Sequence, residues 1–291
     1  MAGSAAGRIT FFSKKDIECP ICGTSFLRED LLTGRGRLIA GNLKGDLRRE
    51  YEASTKFGDI HPLIYPVTVC PGCYYSALPQ DFLNVSDKMK DGIDQDTDSR
   101  ISGIQQIFPE LDFREPRTLK EGIASYFFAM MSYDHFPKQV SPTIKQAISG
   151  IRAAWLCDDL HKSLPMENFD YLAKTFNRKA CFLYNYAVDK EQNGEETVAN
   201  AANLGPDLDK NYGFDGVLYL SSYLEYHFGP RADEEKRKKA LAKSKTTVAR
   251  LFGMGKASKQ KPSAILDKAR DLYDIISEIL QEEDEEEDEQ P

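Results

Sequence analysis

The sequence has no long apolar run, and this absence argues against a membrane-spanning helix. No stretch of its 291 residues approaches the roughly 18 to 20 apolar residues that a bilayer-crossing helix needs. The N-terminal segment is also short of apolar residues, since only residues 9–12 form a run, so no secretion signal is predicted. We therefore expect a cytoplasmic protein with no membrane span.

Histidine is scarce as well, and the motifs of common hydrolases are missing. The four histidines do not stand in HExxH or HxE spacing, and there is no GxSxG or GxxxxGK(S/T) motif. Residues 253–256 indicate only a flexible basic turn, and Asp158 and Asp159, beside His161, are interpreted as exposed positions on a helix. Because no nucleophile, base and orienting group can be assembled, we predict that the protein is not an enzyme.

The excess of acid is confined to the end of the chain. The formal net charge is −8, yet residues 282–289 are eight consecutive acids, and without them 38 acidic residues balance 38 basic ones. Such a block repels itself, so we predict a disordered acidic tail over residues 281–291. Residues 231–261 hold 11 lysines and arginines against 3 acids. We interpret them as a solvated helix face plus a loop, with a nucleic-acid or membrane contact as the alternative.

Six cysteines are present, and four of them form two pairs with the spacing of metal ligands. The pairs are Cys19-Pro-Ile-Cys22 and Cys70-Pro-Gly-Cys73, with 47 residues between them. Disulfides do not persist in the cytoplasm, so paired CxxC motifs indicate a metal site there. Four thiolates suit a tetrahedral zinc ion, with iron as the lesser alternative, and leave no coordination position open. We therefore predict a structural zinc site made by Cys19, Cys22, Cys70 and Cys73.

Residues around the two pairs refine this prediction. Proline in the second position stiffens both turns, and Gly23 permits the positive φ that such turns often need. Tyr74 stands in the matching place of the second turn, so the two turns are predicted to be unequal. His61 is interpreted as a loop or core residue and not as a ligand. Cys157 and Cys181 are predicted to be buried apolar residues, with a redox-sensing pair as the alternative.

The segment between the cysteine pairs is predicted to contain β structure. Residues 37–40 and 67–69 are short apolar runs bounded by glycine and proline, and residues 11–12 add a third. Together these runs predict a small zinc-ribbon-like module over residues 8–85. Residues 86–117, which are rich in aspartate at first and poor in apolar positions, are predicted to be a connector.

The rest of the chain has helical periodicity. Thr118 with Glu121 matches a capping box, and Ser141 before Pro142 matches a helix start. Apolar residues then recur every three to four positions, which predicts an antiparallel helical body over residues 118–280. The apolar stripes lie within 119–133, 144–155, 172–187, 217–228 and 265–279. The body is tetratricopeptide-like, although no strict repeat of about 34 residues is visible. The predicted fold class is therefore α+β, mostly α.

Several short segments occur in an order that resembles one known family. They are Cys-Pro-Ile-Cys-Gly at 19–23, Arg-Leu-Ile at 37–39, Asp-Leu-Arg at 46–48, His-Pro-Leu-Ile-Tyr at 61–65, Cys-Pro-Gly-Cys-Tyr-Tyr at 70–75 and Ala-Ala-Trp-Leu at 153–156. In these features the chain resembles the bacterial family of uncharacterised proteins named domain of unknown function 2225, over most of residues 15–280. Tyr74 departs from the family pattern, which has glycine there. The resemblance implies a zinc-binding head and a tetratricopeptide-like body, and it implies no activity.

Two functions from different classes follow from these features. The first is a non-enzymatic, zinc-stabilised interaction or scaffold module that binds a protein or peptide partner on its helical surface. The alternative is a nucleic-acid-binding zinc-ribbon protein that uses the basic segments around residues 35–49 and 231–261. The balanced charge of the body and the acidic tail favour the first.

Overall fold

The computed structural model describes residues 7–208, 210–252 and 263–288, with side chains as far as residue 281. Short antiparallel strand pairs form the head, residues 7–85, and long helices form the body, from residue 118 onward. The fold is therefore α+β and mostly α, as predicted. None of the described helices is long and apolar enough to cross a membrane.

The head is built from strand pairs that are too short to bury a core by themselves. Every pair is antiparallel, and the longest strand has five residues. The pairs are β1 (Thr10–Phe12) with β4 (Glu29–Leu31), β2 (Ile17–Glu18) with β3 (Ser25–Phe26), β5 (Ile39–Leu43) with β6 (Arg49–Glu52), and β7 (Thr68–Val69) with β8 (Ser76–Ala77). All three predicted segments contain a strand, although β5 begins two residues later than predicted.

The middle segment, residues 86–117, contains helices where the sequence predicts a connector. The helices within it are α2 (Asp87–Gln95) and α3 (Thr97–Gln105), and α1 (Pro79–Phe82) lies just before it, at the end of the head. The Ser86 side chain caps α2 by accepting a backbone hydrogen bond from its first turn. The few apolar residues of the segment, among them Ile93, Ile104 and Phe108, are buried in the common core. Packing against neighbours, rather than a long apolar stripe, therefore stabilises these short helices.

Six long helices form the body within the described residues. They are α4 (Leu119–Tyr133), α5 (Pro142–Ser163), α6 (Phe169–Gln192), α7 (Gly213–Phe228), α8 (Glu234–Phe252) and α9 (Ser263–Asp288). Each helix packs against the next along the chain, as stacked helical hairpins do. The predicted capping box of α4 is present, with Thr118 and Glu121 each accepting a backbone hydrogen bond. Ser141 precedes α5 but is left-handed, with φ 53°, and its hydroxyl donates to the Thr197 carbonyl instead of capping the helix.

The last helix continues further than the sequence predicts. The backbone of α9 is helical through Asp288, whereas a disordered tail was expected from residue 281. Glutamate has a good intrinsic helix propensity, so an established helix can continue into an acidic block. Residues 289–291 lie outside the described residues. The same holds for residues 253–262, which include the predicted basic turn and the end of the basic stretch.

A small residue lets the central helices of the body approach closely. Gly150 of α5 faces Ala180 of α6, and a Cβ added at Gly150 would lie 3.3 Å from the Ala180 Cβ. A single hydrophobic core extends from the head to α9. It includes Cys157 and Cys181, which are buried as predicted.

A buried ion pair joins the head to the body. The ammonium group of Lys145 in α5 lies 2.7 Å from Oδ2 of Asp81 in α1, and the Tyr133 hydroxyl of α4 donates to the same oxygen at 2.7 Å. The two charged side chains are only 4% and 9% exposed. Buried charges are tolerated when they are paired and hydrogen-bonded, so these contacts fix the position of α1 on α4 and α5.

Removing one partner of this pair should destabilise the protein strongly. We expect Lys145→Met to lower the free energy of unfolding by about 3–5 kcal/mol, because the Asp81 carboxylate is left buried without its cation. The double variant Lys145→Met/Asp81→Asn should recover part of that loss, since the uncompensated charge is gone. Urea denaturation measures both effects. A Lys145→Met protein as stable as the wild type would contradict a stabilising role for the pair.

Candidate metal centre

The two cysteine pairs converge on one point of the head. Their Sγ atoms all lie within 4.8 Å of one another. The Sγ–Sγ distance is 3.7 Å from Cys19 to Cys73 and 3.5 Å from Cys22 to Cys70. A tetrahedral site with metal–sulfur bonds of about 2.3 Å has sulfur–sulfur edges of roughly 3.8 Å. The four sulfurs are thus spaced so that they could hold one metal ion.

Cys19 and Cys22 stand in the turn of the β2–β3 hairpin. The Cys19 N–H donates to the Thr24 carbonyl at 3.0 Å, and the Gly23 N–H donates to the Cys19 carbonyl at 3.0 Å. The Ile21 N–H points at the Cys19 sulfur, 3.4 Å away. Gly23 has φ +73°, the left-handed conformation predicted for it. Donors aimed at a sulfur stabilise the thiolate, which is the form that binds a metal.

The β7–β8 hairpin repeats this turn around the second cysteine pair. The Cys70 N–H donates to the Tyr75 carbonyl at 2.9 Å, and the Tyr74 N–H donates to the Cys70 carbonyl at 3.0 Å. The Gly72 N–H points at the Cys70 sulfur, 3.3 Å away. Tyr74 takes the place that Gly23 has in the first turn, and its φ is +57°. The prediction of unequal turns is therefore wrong for the backbone.

Aromatic packing explains why a tyrosine occupies this left-handed position. The Tyr74 ring stacks on Phe128 of α4 with centroids 4.9 Å apart and meets the edge of Phe113 at 5.7 Å. These contacts offset the roughly 1–2 kcal/mol that a left-handed backbone costs a residue with a Cβ. Tyr74 thereby fastens the second turn to the helical body.

Three of the four thiols are shielded from solvent. Cys19, Cys70 and Cys73 are buried, whereas Cys22 is exposed and lies 3.2 Å from the Thr24 hydroxyl. Hydrogen bonds from Cys19 and Cys73 lower the pKa of Cys70. Hydrogen bonding within the cluster raises the pKa of Cys19 and of Cys73. One thiolate is thus favoured, and binding of a divalent cation would release the protons of the others.

A buried arginine, Arg100 of α3, lies beside the cluster. It belongs to no recognisable sequence motif, so it could not be identified from the sequence. Its guanidinium donates to the carbonyls of Cys73, at 3.2 Å, and Ile93, and to the Thr97 hydroxyl. Within the described part of the chain it forms no ion pair with a carboxylate, and its Nε has no hydrogen-bond partner. Burial lowers the pKa of Arg100, and the charge of Cys73 opposes that shift. Four thiolates around a divalent ion carry two net negative charges, so Arg100 is placed to offset one of them.

His61 lies outside the cluster, as predicted, but it has a specific partner. It precedes a short 3₁₀ helix (Pro62–Ile64), and its Nδ1 lies 3.1 Å from Oδ2 of Asp159 in α5. The prediction that Asp159 is exposed is wrong, because its side chain is 7% exposed and lies against Arg48, His61 and Lys162. Asp158 is exposed, as predicted. The sequence missed this group because its members come from distant parts of the chain.

The basic residues proposed for nucleic-acid contact are mostly engaged within the protein. In the first stretch Arg48 pairs with Asp159, Lys44 pairs with Glu50, and Arg37 donates to the Arg8 carbonyl. In α8 the ion pairs are Lys236–Asp233, Arg237–Glu225, Lys239–Glu235 and Lys243–Asp189. Cations that are already paired contribute less to binding a phosphate backbone.

Loss of one cluster thiol should release the metal and destabilise the head. We expect protein purified without added metal to carry about one ion per chain, and Cys70→Ser to retain less than about a tenth of it. Its melting temperature should also fall, because the binding energy of the site contributes to folding. Elemental analysis and thermal melting measure the two effects. Cys157→Ser, a buried cysteine outside the cluster, is the matched control and should keep its metal; a metal-free wild type would contradict the site.

Removing the charge of Arg100 should make the bound metal more labile. We expect Arg100→Gln to lose its metal to a chelator about tenfold faster than the wild type, because the negative cluster then lacks the positive charge beside it. Arg100→Lys keeps the charge and should lie closer to the wild type. A colorimetric chelator assay measures the rates. If both variants lose metal at the same rate, the hydrogen bonds of Arg100, and not its charge, retain the metal.

Comparisons with known proteins identify relatives of the chain. The family model described as "Uncharacterized protein conserved in bacteria" (DUF2225) matches residues 12–276. An "Uncharacterized protein" of Borreliella burgdorferi is 48% identical over 271 residues, which cover 93% of this chain and 97% of that protein. No solved structure matches the chain. The protein therefore belongs to this bacterial family of uncharacterised proteins.

Proposed function

We propose that this protein is a non-enzymatic interaction module of the cytoplasm. In this proposal a zinc-stabilised head supports a helical body, and the outer face of α6 binds a peptide segment of a protein partner. The observation that carries the proposal is the exposed, stacked ring pair of Phe182 and Tyr186 on that face.

Zinc is the metal that we assign to the cluster. Four sulfur donors in a tetrahedral arrangement favour zinc, and iron in the same geometry is the alternative. All four donors come from the protein, so no coordination position remains for a substrate or a water molecule. Such a closed site contributes folding energy and no chemistry, which supports a non-enzymatic role.

Three large aromatic side chains are exposed along one face of α6. Tyr171 is 67% exposed, Phe182 is 59% exposed and Tyr186 is 43% exposed. The rings of Phe182 and Tyr186 stack with centroids 5.8 Å apart and planes inclined by 29°. The opposite face of the helix is buried through residues such as Phe176 and Ala180. Grouped, exposed aromatic residues of this kind are typical of interaction surfaces.

Cationic groups near the rings define the chemistry of the partner. Arg178 and Lys179 are exposed one turn before Phe182 and form no ion pair among the described residues. The ammonium group of Lys179 lies 5.8 Å from the Phe182 ring centroid. A groove of about 250 Å³ adjoins the rings, between α6 and the start of α5. We therefore expect a peptide with an aromatic or aliphatic anchor flanked by acidic residues.

Nucleic-acid binding is the alternative function, and the internal ion pairs weaken it. A phosphate backbone requires a continuous patch of available cations. In α8 the cations Lys236, Arg237, Lys239 and Lys243 already face carboxylates of this chain. Affinity for short DNA or RNA that falls steeply with added salt would favour this alternative.

Truncation of the ring pair should weaken peptide binding without affecting the fold. Selection from a displayed random-peptide library should enrich acidic peptides with one aromatic or aliphatic anchor. We expect Phe182→Ala/Tyr186→Ala to bind the selected peptides about tenfold to thirtyfold more weakly, the loss typical of anchor residues at an interface. Fluorescence polarisation measures the affinity, and the melting temperature should be unchanged because both rings are exposed.

The control is another exposed apolar residue. Leu83 is 63% exposed and lies in the head, so Leu83→Ala should bind like the wild type. Peptides that bind all three proteins equally would contradict the α6 surface.

A further inference from the structure

A polar cleft lies where the head meets the body, apart from the metal centre and from the α6 surface. Its walls come from the β5–β6 hairpin and from residues 59–63, and its floor comes from α5 through Leu156, Asp159 and Lys162. Its volume is about 480 Å³, which is within the usual range for small-molecule sites. The interaction function proposed above makes no use of this cleft.

A histidine in the cleft is held in place by a buried carboxylate. Nδ1 of His61 lies 3.1 Å from Oδ2 of Asp159, while the His61 side chain remains 34% exposed. This hydrogen bond fixes the orientation of the imidazole ring and occupies its Nδ1. In the part of the chain that the structure describes, Nε2 of His61 has no hydrogen-bond partner. Nε2 of His61 is thus available to a ligand that enters the cleft.

Fixed cations outnumber the anion at this end of the cleft. The Asp159 carboxylate accepts hydrogen bonds from the guanidinium of Arg48 and, at 2.9 Å, from the ammonium group of Lys162. Arg48 is also anchored to the Trp155 carbonyl at 3.2 Å, so it cannot swing away. Burial alone would raise the pKa of Asp159, but the hydrogen bond from His61 and the charge of Arg48 lower it. Two permanent cations therefore face one carboxylate whose oxygens are already occupied.

The opposite wall of the cleft carries more acidic than basic groups. Lys44 and Glu50 neutralise each other in an ion pair of 3.1 Å, Arg49 and Asp207 add one charge of each sign, and Glu52 and Asp59 line the rim as well. An oxyanion is therefore favoured only at the end of the cleft that contains His61. The acidic rim at the other end favours hydrogen-bond donors on the rest of the ligand. A divalent cation does not fit, because the only group of three or more candidate ligands among the described residues is the cysteine cluster.

We propose that this cleft binds a small organic molecule through an oxyanion, a phosphate or a carboxylate, held by the ammonium group of Lys162 and by the Nε2–H of His61 in its imidazolium form, because Nε2 of the neutral ring only accepts a hydrogen bond when Nδ1–H faces Asp159. Arg48 supplies further positive charge, and Asp159 positions both His61 and Arg48. The site binds its ligand without a covalent step. A ligand bound in this cleft would contact both the head and the body, and it would therefore stabilise the junction between them.

Isothermal titration with three probes tests the proposal: inorganic phosphate, adenosine monophosphate and succinate. We expect saturable binding of at least one probe to the full-length, metal-loaded protein. The probe that binds most tightly identifies the ligand class. Inorganic phosphate indicates a bare phosphate, adenosine monophosphate indicates a phosphate ester, and succinate indicates a carboxylate. Lys162→Gln and His61→Gln should each weaken that binding about tenfold, as loss of one charge-assisted hydrogen bond does.

Lys174→Gln is the matched control for Lys162→Gln. Lys174 is 62% exposed and Lys162 65%, and each pairs with an aspartate of its own helix, but Lys174 lies outside the cleft. It should bind the probe like the wild type. His61→Gln retains a donor for Asp159, and its melting temperature shows whether it folds. The proposal is overturned if no probe binds, if Lys174→Gln weakens binding as much as Lys162→Gln, or if a folded His61→Gln protein binds like the wild type.

Discussion

Four sulfur atoms brought within 4.8 Å of one another are the constraint on which the head depends. They come from the turns of two hairpins whose strands have two residues each, too few to hold a fold by backbone pairing. Joining the turns closes a loop of 47 residues, which contains the β5–β6 hairpin and one wall of the cleft. A metal bound by these thiols would add folding energy that such short strand pairs cannot supply by themselves.

Burial of charge couples this head to the helical body. Arg100 of α3 faces the cluster, Lys145 of α5 faces Asp81, and the buried Arg117 donates to the Val67 carbonyl just before β7. Each of these groups would be costly in an apolar interior without its partner, so the elements that carry them cannot shift separately. The Tyr74 ring, stacked on α4, adds an apolar link at the second turn itself. The cysteine cluster and the body are therefore parts of one packed structure.

Features that depend on near neighbours could be predicted from the sequence. The two CPxC turns, the capping box at Thr118 and the helical stripes each involve residues only a few positions apart. Features that depend on distant partners could not be predicted. His61 meets Asp159 across 98 positions, and Arg100 reaches Cys73 across 27. The left-handed Tyr74 belongs to the same class, because its conformation is favoured by rings from two other segments.

We infer that a closed, four-thiolate zinc centre supports the interacting helical body. X-ray absorption at the zinc and iron edges, on protein purified without added metal, tests this centre. We expect zinc with a shell of four sulfur atoms at about 2.3 Å and no nitrogen or oxygen neighbour. Iron at the site, a shell with nitrogen or oxygen ligands, or protein without metal would contradict it.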